Sequence, residues 1–472
     1  MGIKKGINKK QNISKDLIQI RNQINKQRDF FNTGSTKEIS FRIEQLKKLK
    51  SALKKYEPEI MQALYKDLRK SDFESYLTEL GVLYSGIDYA LANIKKWAKP
   101  KRAKTPFSLR PARSRTVAEP YGSVLIIGPW NYPLQLVVAP LIDAIAAGNC
   151  AVVKPSSLAH YTSEVIVKII SETFDPAYIY AVKGGTERTP FLITEKFDYI
   201  FFTGGTETGR TIMQAAAKEL TPVTLELGGK SPAIVSSDAA IDMAAKKITW
   251  GKFVNAGQTC IAPDYVLAHK DISEKLVSGI KHYVEIFYGK DPKQSPDFAR
   301  IISPGHFKRI SNLLKKADIV FGGRTDEKEL YISPTVAKNI SLKHPLMLEE
   351  IFGPVLPVLE FSDINEAIST VKSMPKPLAL YLFTSGKNIE QRISNEISCG
   401  GMVINDTLLH VANHHLPFGG VGFSGIGQYH GKAGFDTFSH IKAVMKSPRS
   451  IDLPLRYPPY KNKIKFLKCL FG

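Results

Sequence analysis

The chain has 472 residues, 43% of them hydrophobic, with 65 lysines and arginines against 44 aspartates and glutamates, a formal charge of +21. That length exceeds one simple core, so about two or three domains are the starting expectation. Cys150, Cys260, Cys399 and Cys469 are far apart and fit no disulfide framework or zinc pattern, which excludes a cystine-stapled secreted scaffold and favours a reducing cytoplasm.

Residues 1–35 read as a basic extension carrying Lys4, Lys5, Lys9, Lys10, Lys15, Arg21, Lys26 and Arg28. No apolar run follows this charged start, so no secretory signal is expected. Gly6 stands where myristoylation calls for Ser or Thr. Between Thr36 and Asp67, Ile39, Ile43, Leu46, Leu49, Leu53 and Ile60 recur at helical spacing, and a second helical pattern covers Phe73 to Trp97. The basic, proline-containing stretch 99–119 reads as an extended arm or linker. No nucleic-acid motif accompanies the basic clusters, and no nucleic-acid partner is expected.

From residue 122 the character changes to alternating apolar strands and helices. Strands are expected at 122–127, 151–155, 178–182, 199–202 and 223–227, with helices at 134–147, 162–174 and from Gly209 to Leu220. Pro140 marks a kink or a late helix start. The second half continues with helices at 239–253, 271–286, 304–316 and 364–372, and strands at 265–268, 318–321, 355–359 and 379–383. Such alternation predicts an α/β fold with parallel sheets. Val124 to Ile142 is uncharged, but Gly128, Pro129, Asn131, Pro133 and Pro140 break any spanning helix there.

Four stretches carry candidate chemistry. Gly204, Gly205 and Gly209 lie between a strand and a helix, where a phosphate-binding turn belongs; Thr206 breaks the glycine fingerprint, and a plain tight turn accounts for them equally well. In Gly128-Pro129-Trp130-Asn131-Tyr132-Pro133 the Asn131 amide can donate to an oxyanion or cap the next helix. Glu226 sits in an apolar strand, where desolvation raises a carboxyl pKa toward that of a general base; pairing with Lys230 is the alternative. Cys260 follows the polar turn Asn255-Ala256-Gly257-Gln258-Thr259 and precedes a short strand, as a nucleophile or as a small buried hydrophobe.

Taken in order, these stretches with Lys154-Pro155-Ser156, Glu349–Pro354 and Pro417–Gly422 resemble the aldehyde dehydrogenase superfamily from about residue 20 to about 460. Thr249-Trp250-Gly251-Lys252, Cys260–Tyr265, Asn405-Asp406-Thr407 and Tyr429–Lys432 resemble its class 3, or fatty aldehyde, branch. The resemblance implies a Rossmann-like cofactor domain (36–100 and 120–227), an α/β catalytic domain (228–408) and a small bridging element (101–119 and 409–445) that assembles homodimers, with a basic tail at 446–472. It implies oxidation of an aldehyde to the acid with NAD or NADP. Cys260 would be the nucleophile, Asn131 an oxyanion donor and Glu226 the base for thioester hydrolysis. Lys154 would bind the adenosine ribose, Gly204, Gly205 and Gly209 would border the pyrophosphate, and Glu350 and Phe352 would position the nicotinamide half.

Two positions depart from the pattern. Ser157 stands where many NAD-preferring relatives carry a ribose-binding Glu, which opens the site to NADP, and Gly205 replaces a common Ser or Asn. His410, His414 and His415 match no metal-ligand spacing, so no metal is expected and the three are read as shaping the substrate entrance. The class 3 likeness and the basic, apolar tail suggest a long, apolar aldehyde and a peripheral contact with the inner membrane surface. A CoA-acylating or acyl-reducing enzyme of the same fold, and a non-catalytic membrane-surface binding protein, are the rival readings.

Overall fold

The computed structural model describes residues 15–471 apart from positions 186, 316, 453 and 462, with the backbone alone at 469–471. Lys4, Lys5, Lys9 and Lys10 of the basic extension lie outside the described residues. The rest of the extension forms a helix, Lys15–Asn32, whose Ile20 and Ile24 are buried. The helix expected over 36–67 is two helices, Ile39–Lys55 and Glu57–Leu68, joined at Tyr56. Pro58 sits in the first turn of the second, where its missing N–H breaks no helical bond. The pattern from Phe73 to Trp97 is also interrupted: a wide π-turn, Tyr76–Leu80, precedes the helix Gly81–Ala98.

The stretch 99–119 is not a free arm. Strands β1 (Lys101–Ala103) and β2 (Arg113–Pro120) pair antiparallel, and β2 pairs along its whole length with Ser439–Lys446, from Ser439 opposite Pro120 to Lys446 opposite Arg113.

The parallel sheet after residue 122 forms as the alternation predicts. Its strands are β3 (Ser123–Ile127), β4 (Cys150–Lys154), β5 (Ile179–Ala181), β6 (Tyr199–Thr203) and β7 (Val223–Glu226), in spatial order β7-β6-β3-β4-β5. Buried residues alternate between its two faces, as a strand's period of two requires. Val124, Ile126 and Val153 join the main core, while Leu125, Ile127 and Val152 pack with Ile20, Ile24 and Phe202 in a second cluster. Both faces are therefore covered, the usual condition of a parallel sheet. The helix Gln135–Ala147 runs through Pro140 without a late start. Gly425–Ile426 adds a short antiparallel strand beside β7, with Gly425 opposite Glu226.

The second sheet holds β8 (Pro232–Val235), β9 (Tyr265–His269), β10 (Asp318–Phe321), β11 (Thr335–Lys338), β12 (Val355–Phe361), β13 (Ala379–Phe383) and β14 (Gly401–Ile404), in the order β10-β11-β12-β9-β8-β13-β14. Only β10 runs antiparallel.

Candidate active site

In the first sheet the chain lays down β3, β4 and β5 outward, then returns to place β6 and β7 on the other side of β3. The crevice at such a reversal, beyond the carboxyl ends of the strands, is where α/β sheets bind dinucleotides. Asn131 follows β3, Lys154 ends β4, Gly204 follows β6 and Glu226 ends β7, so four predicted site residues share this one edge. Cys260 and Phe352 precede β9 and β12, at the amino edge of the second sheet. The short link Leu227–Ser231 from β7 to β8 joins the two edges, and the Phe352 ring meets Trp130 edge to face with centroids 5.3 Å apart.

The turn before Cys260 holds an unusual backbone. Asn255 and Ala256 both take left-handed conformations (φ 52° and 51°), costly for residues with a Cβ unless the surroundings hold them. They are held. The Asn255 amide donates to the Asn131 carbonyl (2.8 Å) and the Gln258 carbonyl (3.2 Å). Gln258 donates to the Asn255 and Arg300 carbonyls and accepts from the Ile302 N–H. Gly257, at φ +74°, has no room for a Cβ against the Gly353 carbonyl. The buried Asn131 side chain donates to the Gln258 carbonyl at 3.0 Å, which fixes it against the cysteine turn. It does not cap the following helix: Glu79 does, its carboxylate accepting from the N–H groups of Leu134 (2.9 Å) and Gln135 (3.1 Å).

Glu79 also forms a wholly buried ion pair with Lys70 at 2.7 Å, and Lys70 donates to the Asn131 carbonyl at 3.2 Å. This Lys70–Glu79 support was missed from the sequence. The two residues are nine apart and neither stands in a recognisable motif. Removing one partner strands a buried charge, so Lys70→Met is expected to cost about 3–5 kcal/mol of stability, read as a lowered denaturant midpoint. An unchanged midpoint would contradict the reading.

Glu226 is 3% exposed, and neither carboxylate oxygen has a hydrogen-bond partner among the described residues. Burial raises its pKa well above the carboxylate range. The alternative pairing with Lys230 does not occur, because Lys230 is bound to Asp264 and to the Leu346 and Glu349 carbonyls. Asp264 in turn accepts from the Ile351 N–H at 3.1 Å and lies 3.8 Å from the buried ammonium of Lys252. Through Asp264 the cysteine turn is tied to the Glu350 segment. The Cys260 thiol is half-buried; burial, then the charges of Glu350 and Glu226, push its pKa up to about 12, while its own N–H and that of Ile261 pull the other way. The resting thiol is therefore protonated at neutral pH and must lose that proton before it attacks.

Other residues fit a dinucleotide. Gly205 caps the helix Thr206–Lys218 at the end of β6 with open space around it, and a Cβ on Gly209 would meet Leu227 at 2.6 Å, so glycine there allows the helix to lie close to the strand. Lys154 is buried, and that burial lowers its pKa. Ser157 is exposed just beyond it. The Glu350 carboxylate lies against Gly228, where no Cβ would fit, and burial followed by Asp264 raises it to about 8. A nicotinamide dinucleotide matches this donor set. His414 bonds Ser85 and His415 bonds Tyr89, and among the described residues no group of His, Cys, Asp or Glu is placed to hold a metal ion.

The fold and this edge-to-edge site define an α/β dehydrogenase. A family model described as the aldehyde dehydrogenase family matches residues 10–444, and the chain belongs to that family. It is 50% identical to a 4,4'-diaponeurosporen-aldehyde dehydrogenase of Staphylococcus aureus, over 94% of this chain and 97% of that protein. Aldehyde dehydrogenase family 3 member A2 of Rattus norvegicus is 43% identical, over 94% of this chain and 93% of its own. The solved substrate-bound state of Staphylococcus aureus AldH superposes with a TM-score of 0.94 at 49% identity, covering 96% of this chain and 99% of that one. A Mycobacterium tuberculosis aldehyde dehydrogenase complexed with NAD+ superposes with a TM-score of 0.82 at 25% identity, over 91% and 90% of the two chains.

Proposed function

We propose that this aldehyde dehydrogenase oxidises medium- to long-chain or otherwise apolar aldehydes to carboxylic acids with NAD or NADP, through a thioester on Cys260. The carrying observation is Glu226, a buried carboxylate with no partner and a raised proton affinity, in electrostatic reach of the Cys260 thiol. The Cys260 sulfur gives up its proton to water and bonds to the carbonyl carbon, and the carbonyl electrons move onto oxygen. The Asn131 amide and the Cys260 N–H stabilise that oxyanion. The chemistry a bound nicotinamide supplies is acceptance of the hydride from carbon, which leaves a thioester. Glu226, in its ionised form, takes a proton from water as the water oxygen attacks, and the carbon–sulfur bond breaks to release acid and thiolate. Lys154, Ser157, Gly204, Gly205, Gly209, Glu350 and Phe352 would hold the dinucleotide. Glu226 speaks against a CoA-acylating enzyme, whose acyl transfer needs no hydrolytic base.

An apolar substrate is supported by the 50% identity to the 4,4'-diaponeurosporen-aldehyde dehydrogenase. Initial rates with aldehydes from acetaldehyde to hexadecanal, with NAD and NADP side by side, test the reading. kcat/KM is expected to rise by roughly tenfold or more across the series, since each buried CH₂ contributes about 0.8 kcal/mol. A flat or falling series would contradict it.

We also infer a homodimer with peripheral membrane contact. The eight-residue strand Ser439–Lys446 is largely exposed and forms one edge of its sheet, which suits pairing with a second copy. The tail helix Ile464–Phe471 exposes Ile464 and Phe466 among lysines, and no helix among the described residues is long and apolar enough to cross a membrane. Light scattering of the full chain and of a form ending at Ser447, with and without anionic vesicles, tests both inferences. A dimeric mass and tail-dependent vesicle binding are expected; a monomer, or binding indifferent to the tail, would refute the corresponding inference.

A further inference from the structure

Strand β1 passes into β2 through a tip, Lys104 to Pro111, that its own hydrogen bonds hold closed. The Thr105 hydroxyl donates to the Ser114 hydroxyl at 2.9 Å and accepts from the Ser114 N–H at 3.1 Å. Within the tip, Phe107–Leu109 forms a single 3₁₀ turn, and the Leu109 and Arg110 N–H groups donate to the Pro106 and Phe107 carbonyls, both at 3.0 Å. This ordered turn leaves its apolar side chains in water: Phe107 is 77% exposed and Leu109 47%. Lys104 and Arg110 flank them, and the Arg110 guanidinium lies 5.9 Å from the Phe107 ring centroid. An aromatic and an aliphatic side chain at a loop end, bordered by cations, match the pattern of an interfacial anchor.

The sheet behind the tip is basic on one face. Arg113 and Arg115 are two apart in β2 and share that face, with Arg115 opposite Arg102 of β1 and Arg113 opposite Lys446. Like charges directly opposite each other destabilise a sheet. All four cations are exposed, none has a carboxylate partner among the described residues, and the sheet's one acid, Glu119, is bound to Lys442. An anionic surface relieves that repulsion. The basic face reaches the tip: Lys446 ends its strand beside Arg113, so the chain leaves for the tail helix from this same end. The pairing with a second copy inferred above uses the outer edge of Ser439–Lys446, and β1 lies at the opposite edge of the sheet. The tip carries no acidic residue, and its outward apolar side chains, which nucleic-acid phosphates would not recruit, favour a lipid surface.

We propose that the β1–β2 tip docks on an anionic lipid surface, with Phe107 and Leu109 entering the headgroup boundary and the basic sheet face holding the lipid phosphates. The proposal rests on the membrane contact inferred above and adds the tip as its insertion point. Co-sedimentation of the full chain with phosphatidylglycerol vesicles, against neutral phosphatidylcholine vesicles, tests it. Binding to the anionic vesicles is expected, falling as salt rises from about 50 to about 500 mM. Phe107→Ser combined with Leu109→Ser is expected to weaken that binding roughly tenfold or more, while hexanal oxidation and oligomeric mass stay unchanged. In a second measurement, Phe107→Trp is expected to add a blue-shifted emission on the vesicles that acyl-brominated lipids quench, read as the difference from the wild-type signal of Trp97, Trp130 and Trp250. Equal binding by the double variant, or a new indole that stays in water, overturns the proposal and leaves the tail contact standing. A double variant that loses its dimeric mass assigns the tip to the second copy and also overturns it. If the full chain binds neither kind of vesicle, the membrane reading falls with it.

Discussion

Cys260→Ala is expected to lower aldehyde-dependent NAD(P)H formation by at least about 10⁴-fold, to the limit of detection. The loss should be chemical rather than structural. None of the bonds that hold the cysteine turn uses the sulfur: Asn255 and Gln258 act through their amides on carbonyls, and Asp264 acts on the Ile351 N–H. The variant should therefore keep its circular dichroism and denaturant midpoint. In the wild-type protein, burial and the two nearby carboxylates hold the thiol protonated at neutral pH. The attacking thiolate forms as protons are removed, so kcat/KM is expected to climb with pH across the neutral range. Full activity in the alanine variant would remove Cys260 from the reaction and contradict the account.

Glu226→Gln is expected to separate the two halves of the reaction. Without a carboxylate to take a proton from water, thioester hydrolysis should slow by about 10²- to 10⁴-fold, the usual worth of a positioned general base. The first half keeps its nucleophile, so NADH should appear as a burst of at most one equivalent per site and then nearly stop. The pH dependence has a definite sign. The ionised carboxylate is the active form, and burial raises its pKa, so wild-type kcat should fall as pH drops through a value well above the ordinary carboxylate range. That limb should vanish in the glutamine variant. Full steady turnover in the variant would favour transfer of the acyl group to another acceptor.

These expectations rest on residues whose identity was readable before any coordinates. The strand Ser123–Ile127 announced itself because both its faces are buried, leaving an unbroken apolar run. Glu226 stood out because a lone carboxylate in such a run must be desolvated, and the structure places it so. The stretch 99–119 read as an arm because β2 alternates polar and half-buried residues, and its partner strand lies more than 300 positions away in sequence. A polar, half-exposed strand carries little signal until its partner is known. Short strands such as Pro232–Val235 and Gly401–Ile404 passed unassigned for a similar reason, since four residues define no period. The break at Tyr56 and the wide turn at Tyr76–Leu80 were hidden because apolar spacing continues across both. Least legible was the support beneath the site. Lys70, Glu79 and Asp264 act through buried contacts that join distant segments, and no local spacing encodes them.

The most direct measurement is mass spectrometry of Glu226→Gln, mixed with decanal and NAD and quenched in acid within the burst. A mass gain equal to the decanoyl group, located on the peptide containing Cys260, is the predicted result. It would place the thioester on that sulfur and assign its hydrolysis to Glu226. An unmodified Cys260 peptide during active NADH formation, or an acyl group on another residue, would contradict the account.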